Sequence, residues 1–515
     1  MSDAVQLARS FGAALYGIEA VPVEVQAARA SGIPRAAVLG QAGGEIREAR
    51  DRLRVALRAQ GLWRGPAEQG VIINLAPAGV PKAGTGLDLP MCLAIASLHV
   101  HRLAEQLGDT LAYAEVGLDG SLRPAHGTLS AAIAARAAGF ARLLVPPEAA
   151  REAAEVGGID VQAVRSLAQA VGLLLGRDRA APWPPAPRAG GPPRVDLSEV
   201  KGQRAARRAL EVAAAGGHNL LMIGPPGSGK TLLARRLPTI LPPLTREEAL
   251  EVTRVHSAAG LRPAGGGLVR ERPFRAPHHS ISAAGLVGGG APPRPGEVSL
   301  ATHGVLFLDE LPEFPRHVLE LLRQPLEDGE VTIVRACGPA RFPARFLLAA
   351  AMNPCPCGWH GSSLRECRCT PAMVDRYRGR ISGPLLDRID IHVELRALSA
   401  AELAASRGGE DSAAVRARVV AARGRQLERN RRFGVLWNAA LPARDLAAAC
   451  PMTGAARKAL TAAMERLRLS ARAHDRCLKV ARTVADLAGR DLVDAADIAE
   501  AVAYRTLDRS VVPLP

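Results

Sequence analysis

The sequence predicts an α/β protein whose parallel sheet carries a nucleotide-binding loop. Three observations, met in chain order, predict it. Gly224, Pro225, Pro226, Gly227, Ser228, Gly229, Lys230 and Thr231 fit the pattern G-x-x-x-x-G-K-[ST] of a P-loop. The apolar run 304–308 ends in two carboxylates, Asp309 and Glu310, as a Walker B strand does. A third apolar run, 346–352, ends in the polar Asn353.

Each element has a chemical reason. The run 219–223 suits a buried parallel strand, and 232–237 has helical character, so the P-loop sits between a strand and a helix. Glycines there let backbone N–H groups close around phosphates, and the helix N-terminus adds a favourable dipole. Lys230 is placed to reach the β- and γ-phosphates of ATP, and the Thr231 hydroxyl to ligate Mg²⁺. Asp309 is a second Mg²⁺ ligand, and Glu310 polarises the attacking water. Asn353 fits the sensor-1 role of orienting water against the γ-phosphate. All three sites fall at the carboxyl ends of strands, where open α/β sheets bind ligands. Together they predict ATP hydrolysis.

The bulk properties set the frame. A chain of 515 residues suggests about three domains, and 48% hydrophobic residues suffice for their cores. The N-terminus has no basic flank followed by an apolar run, so no secretory signal is expected. No stretch approaches the ~18 uninterrupted apolar residues of a membrane span. A soluble, cytoplasmic protein with no membrane partner is expected. Eight cysteines in so long a chain do not suggest a disulfide scaffold. The net charge is +16, yet residues 1–176 are charge-balanced. The whole surplus lies beyond them, which points to a polyanion partner, nucleic acid above all.

Proline and glycine density marks residues 177–195 as an extended linker. A second boundary falls near 397–412. Beyond it the chain is rich in Ala, Arg and Leu with helical periodicity. The expected domains are therefore 1–176, an ATPase core at 196–398 and a helical region at 399–515.

The motor resembles known proteins. The segment 196–203, with Val200, Gly202 and Gln203, resembles the entry segment of AAA+ ATPases, where this turn lies near the adenine. The stretches 272–279, 353–358 and 381–390 resemble signatures of magnesium-chelatase-like AAA+ proteins. Their order behind an N-terminal Lon-like domain resembles the ComM/YifB family over nearly the whole chain. The resemblance implies an AAA+ module with a C-terminal α-helical lid. It also implies a homo-hexameric helicase acting on single-stranded or branched DNA, in branch migration during natural transformation. Arg388 matches the position of an arginine finger, which reaches the γ-phosphate of a neighbouring subunit and can be worth ~10³–10⁵ in rate. Arg376, Arg378 and Arg380 lie close by as alternatives. Arg472 resembles the sensor-2 arginine that touches the γ-phosphate from the lid. In this clade the glycine- and proline-rich stretch 256–300 holds an inserted hairpin facing the ring pore.

His278 and His279 have no Cys or carboxylate spaced to make a metal site with them. Residues 330–335 and 341–345 read as a hairpin around a turn at Cys337, Gly338 and Pro339. Related helicases use that hairpin on DNA, so Arg335, Arg341 and Arg345 are candidate phosphate contacts. Cys355, Cys357, Cys367 and Cys369 form two C-x-C pairs, four thiolates able to hold structural Zn²⁺.

In the N-terminal region, 81–88 and 117–124 resemble Lon-protease segments, which implies a ribosomal-S5-like α/β domain. Gly86 occupies the nucleophile position and Leu129 the lysine position, so no activated nucleophile is expected. The domain is expected to serve binding or assembly. The competing reading is a chelatase-type ATPase that remodels a protein partner. Against it, the chain has no metal-adhesion domain, and a Lon-like domain is not typical of chelatase motors.

Overall fold

The computed structural model describes residues 7–30, 37–63, 70–184, 195–262, 266–335, 338–362, 364–398, 402 and 408–505. Most of the linker (185–194), much of the second boundary (399–401 and 403–407), Cys337 and the last ten positions lie outside the described residues.

The apolar runs form a five-stranded parallel sheet. Its order is Phe274–Arg275, Val305–Leu308, Leu347–Met352, Leu220–Ile223, Ile391–Glu394. The inner strands are buried on both faces, which is why their sequences are continuously apolar rather than alternating. Period two still sorts the side chains. Leu220, Met222, Val305 and Phe307 join the core on one face, while Leu221, Ile223, Leu306 and Leu308 join the core on the other.

The first face is covered by the helices Arg204–Gly216 and Lys230–Ile240 and by two C-terminal helices, Ser412–Asn430 and Ala471–Leu487. Leu233 and Leu237 of the P-loop helix share one cluster with Val415, Val419, Val480 and Val484. The C-terminal region is helical as expected, with no strand among its described residues 408–505. Its core is nevertheless continuous with that of the sheet.

The N-terminal unit is a second α/β layer. Its seven-stranded mixed sheet runs Ala37–Leu39, Gly70–Ala76, Glu19–Ala30, Leu7–Tyr16, Thr110–Ala112, Arg142–Val145, Asp160–Ala163. Leu7–Tyr16 and Glu19–Ala30 form a long antiparallel hairpin, closed by Gly17 and Ile18. Gly17 has φ +66°, a conformation glycine adopts without steric cost.

That turn joins the two units. Ile18 is buried in the motor core beside Phe342, a burial worth about 2 kcal/mol. The Ile18 carbonyl accepts from Arg254 Nε at 3.0 Å and from Ser130 Oγ at 2.5 Å. Tyr16 Oη donates to the Gly338 carbonyl at 2.7 Å. Nor is the start of the expected spacer free of the N-terminal unit: Ala181 N donates to Ala163 O at 2.7 Å and its side chain is buried.

Candidate nucleotide site

The P-loop connects Leu220–Ile223 to the helix Lys230–Ile240. Gly227 (φ +77°) and Gly229 (φ +91°) take the left-handed backbone that wraps the loop and starts the helix. Lys230 is buried, and its Nζ donates to Gly224 O at 2.6 Å, Pro225 O at 3.0 Å and Asn353 Oδ1 at 3.2 Å. Burial lowers the pKa of its ammonium, and the charges of Asp309 and Glu310 oppose that shift. Thr231 Oγ1 donates to Asp309 Oδ2 at 2.7 Å. The structure thus brings Lys230, Thr231, Asp309 and Asn353 together, although they come from three separate strand ends. An adjacent hydroxyl and carboxylate are the oxygen ligands that suit Mg²⁺.

Glu310 stands at the rim with φ +52°, a left-handed conformation that is costly for a residue with a side chain. Its carboxylate lies 3.5 Å from His279 Nδ1. His279 in turn packs against His278, with ring centroids 4.0 Å apart, and edge-on against Phe314. By spacing in the sequence, no carboxylate partners this histidine pair. The partner stands 31 positions away, and only the pairing of Phe274–Arg275 with Val305–Leu308 brings the two loops together.

Gln203 is a further member that spacing did not single out beyond its turn. With φ +47°, it donates from Nε2 to Ser228 O at 3.1 Å and to Arg396 O at 2.7 Å. It ties the P-loop to the segment leaving the last strand.

Arg388 and Arg472 do not join this cluster. Asn219 Nδ2 donates to Arg388 O at 2.9 Å, and Asn219 precedes the P-loop strand. Arg388 therefore stands at the amino edge of the sheet, about 13 Å of strand away from the P-loop edge. Its guanidinium pairs with Glu327 and donates to Pro384 O at 2.5 Å. Arg472 extends from the first turn of its helix toward Asp387, at 3.6 Å, on that same remote edge. The alternatives differ: Arg380 pairs with Glu313 at 2.9 Å, just after the Walker B strand, and Arg378 Nε donates to Pro354 O at 3.3 Å. Beside Arg388 opens a cavity of about 610 Å³ lined by Arg345, Arg423, Trp437, Arg476 and Lys479.

The three DNA candidates also separate. A hairpin forms here, but its arms are Glu330–Arg335 and Gly338–Pro343: Gly338 and Pro339 pair with Arg335 and Val334 instead of forming the turn, and Arg341 stands opposite Thr332 on the exposed face. Arg335, at the tip, donates to Gly290 O at 3.4 Å. That carbonyl follows one strand of a short ribbon, Gly288–Gly289 paired with Arg294–Pro295, in the stretch where an inserted hairpin was expected. Arg345 lies past the hairpin and lines the remote cavity instead.

The four cysteines of the C-x-C pairs converge, with all Sγ atoms within 4.8 Å of one another, an arrangement compatible with a metal ion.

Three family models match the chain. Magnesium chelatase, subunit ChlI, covers 196–403, the C-terminal model of the same subunit covers 409–505, and a third model, subunit ChlI of Mg-chelatase, covers 23–149. The chain is 42% identical over 501 residues to an uncharacterized protein of Mycobacterium tuberculosis, spanning 97% of this chain and 98% of that one. It is 41% identical over 510 residues to YifB of Salmonella typhimurium, spanning 97% of each. It is 40% identical over 512 residues to competence protein ComM of Haemophilus influenzae, spanning 98% of each. The chain belongs to the magnesium-chelatase-like ComM/YifB family. Membership supports an AAA+-type ATPase using ATP and Mg²⁺, and the mixed α/β architecture with its parallel core and C-terminal helices is consistent with that fold.

One expectation needs correction. A Lon-like N-terminal domain is not typical of chelatase motors, yet 23–149 itself matches a model for subunit ChlI of Mg-chelatase. The presence of this unit therefore does not separate a ComM/YifB motor from a chelatase motor. Among the described residues no helix is long and apolar enough to cross a membrane.

Proposed function

We propose that this family member is a hexameric ATP-hydrolysing motor that moves DNA strands as a branch-migration helicase, in the recombination that accompanies natural transformation. The observation that carries the DNA reading is the hairpin Glu330–Arg335 and Gly338–Pro343. One face of it, Val331, Ile333, Ala340 and Phe342, is buried in the same cluster as Leu306 and Leu308 of the Walker B strand. The other face exposes Arg341. A shift at Asp309 and Glu310 would pass through this packed core to a cationic surface able to grip phosphates. The basic surplus beyond residue 176 and a relative named competence protein ComM support the same reading.

In the ATP site, the backbone of 224–229 cradles the phosphates and Lys230 reaches the β/γ pair. Thr231 and Asp309 would hold Mg²⁺, which would supply positive charge to offset that of the phosphates. Glu310 orients the attacking water, with Asn353 beside it. Arg388 and Arg472 face away from their own P-loop, which supports a ring in which they serve a neighbour's γ-phosphate. The helices beyond residue 408 act as the lid. The N-terminal unit is a Lon-like domain without its dyad, which braces the hairpin through Tyr16 and Ile18.

The test is the ATPase rate with and without single-stranded, duplex and branched DNA. DNA should raise the rate, with binding that falls steeply as salt rises because phosphate contacts release counterions. Arg335→Ala combined with Arg341→Ala should abolish the stimulation while the basal rate persists. A rate that no DNA changes would sink the DNA reading. The second reading, a chelatase-type motor remodelling a protein, is favoured by the three ChlI matches.

A further inference from the structure

The segment between Asn353 and the helix Pro371–Arg378 has no helix or strand among its described residues. A loop of that length lacks a core of its own. What it has is a sulfur cluster. Cys355 Sγ lies 3.4 Å from Cys357 Sγ and 3.7 Å from Cys367 Sγ, and Cys357 and Cys367 are 3.6 Å apart. Cys369 completes the set within 4.8 Å. A disulfide requires about 2.05 Å, so these are four separate thiols. Four sulfurs at about 2.3 Å from one tetrahedral ion stand about 3.8 Å apart, close to the spacing seen.

The surroundings fit thiolates. The backbone N–H of His360 donates to Cys355 Sγ and that of Cys369 to Cys367 Sγ, each at 3.4 Å. Such outer hydrogen bonds orient sulfur ligands and offset their charge. All four ligands come from the protein, which closes the coordination shell and makes the site structural.

The loop also backs the nucleotide site. Gly358 takes φ +83° and lies against the P-loop, so that a Cβ there would stand 2.7 Å from Pro226 Cδ and 3.9 Å from Asn353 Cγ. Pro354 O accepts from Arg378. The start of the loop is thus tied to the helix that follows it, and Gly358, near that start, lies against Pro226.

We propose that Cys355, Cys357, Cys367 and Cys369 bind a structural Zn²⁺, and that this ion holds Gly358 against Pro226, so that nucleotide affinity depends on the metal. Binding displaces the thiol protons to solvent and changes no oxidation state. Without the ion nothing ties the four sulfurs to one another, the loop opens, and the backing of Pro226 and Asn353 is lost. The metal half stands on the sulfur geometry alone. The coupling half rests on the P-loop reading.

The experiment uses the full chain purified under reducing conditions, with metal measured by plasma mass spectrometry and affinity by a fluorescent ATP analogue. Three proteins are compared: the natural chain, Cys367→Ser with Cys369→Ser, and Gly358→Ala, which keeps all four thiols. The natural chain and Gly358→Ala should each carry one zinc, and the double variant none. Both variants should bind nucleotide about tenfold more weakly, the size of one lost hydrogen bond to a charged group. A natural chain that carries no zinc and takes up none when it is added, or that carries iron instead, overturns the metal site. Zinc loss with unchanged nucleotide affinity, or unchanged affinity in Gly358→Ala, overturns the coupling. No nucleotide binding by the natural chain overturns the P-loop reading and leaves the metal result to stand by itself. If circular dichroism shows the double variant unfolded, Gly358→Ala decides the coupling.

Discussion

The N-terminal unit and the ATPase unit each bury a lysine beside a glycine-bearing loop, and they use it differently. Lys82 is 1% exposed and donates to the Pro77 carbonyl, and burial lowers its pKa with no charged partner among the described residues to offset the cost. Close by, Gly86 has no room for a side chain: a Cβ would stand 2.2 Å from the Tyr113 ring. Tyr113 is itself buried and donates to His126 O at 2.6 Å. Leu129, which the Lon-like resemblance aligns with a lysine base, is fully buried. Lys230 is buried nearly as deeply, at 9% exposed, but faces Asn353 and feels the charges of Asp309 and Glu310 at an open strand edge. A buried cation becomes chemically useful when opposite charges and a water-accessible rim stand next to it. In the N-terminal unit packing has filled that rim.

The largest expected effect lies in the ATPase unit. Lys230→Ala should remove nucleotide binding, whereas Glu310→Gln should bind ATP and hydrolyse it about 10³-fold more slowly, since positioning survives and water orientation does not. Filter binding and phosphate release separate the two. Normal turnover by Glu310→Gln would break the contrast with the N-terminal unit.

Next comes Arg388. Arg388→Ala should lower the rate by about 10³-fold, as for a finger acting from a neighbour. Mixing it with Lys230→Ala subunits should restore part of the rate, because mixed rings contain interfaces with both groups intact. Full activity of Arg388→Ala alone would move the finger to Arg380.

A smaller effect is expected in the N-terminal unit. Gly86→Ser, which places a hydroxyl where the Lon-like resemblance expects a nucleophile, should create no peptidase activity and should destabilise the fold by about 1–3 kcal/mol, because the side chain collides with Tyr113. A urea midpoint equal to that of the natural chain, or proteolysis of casein, would show that this rim is open after all.

The smallest effect is the opposite pH response of the two units. Burial pushes Asp88 up to about 6, against the pull of Arg52. The folded N-terminal unit therefore holds a proton that the unfolded chain releases above about 4, and this group's contribution falls as pH rises from about 4 to 6. In the ATPase unit, burial pushes His392 down to about 3, and neither ring nitrogen has a hydrogen-bond partner among the described residues. There the unfolded chain takes up the proton first, so stability falls as pH drops below about 6.5. Each slope is at most about 1.4 kcal/mol per pH unit. Hydrogen exchange followed unit by unit from pH 4 to 7 reads both. Asp88→Asn and His392→Gln should each flatten one slope and leave the other.

Legibility in the sequence followed the distance between partners. Lys230 and Thr231 are adjacent, and the strands that deliver Asp309 and Asn353 are continuous apolar runs, so their meeting could be read from local pattern and the rule that ligands gather at carboxyl strand ends. The cysteine cluster was legible for the same reason, since its members lie within fifteen positions. Gly86 and Leu129 could be read as a missing dyad, but the Tyr113 ring that fills the space could not.

By itself, then, the sequence determined the α/β class, the strand–loop–helix of the P-loop, the helical C-terminal region and the chemistry available at Lys230, Thr231, Asp309, Glu310 and Asn353. Only the tertiary structure decided that His279 meets Glu310, that Gly358 lies against Pro226 and that Ile18 inserts beside Phe342. It also decided that Arg388 and Arg472 share the edge remote from their own P-loop. The physical reason is common to all of these. Periodicity and turn chemistry report what a residue does with its neighbours in the chain. Contacts across hundreds of positions arise when two faces, each already determined locally, are buried against each other.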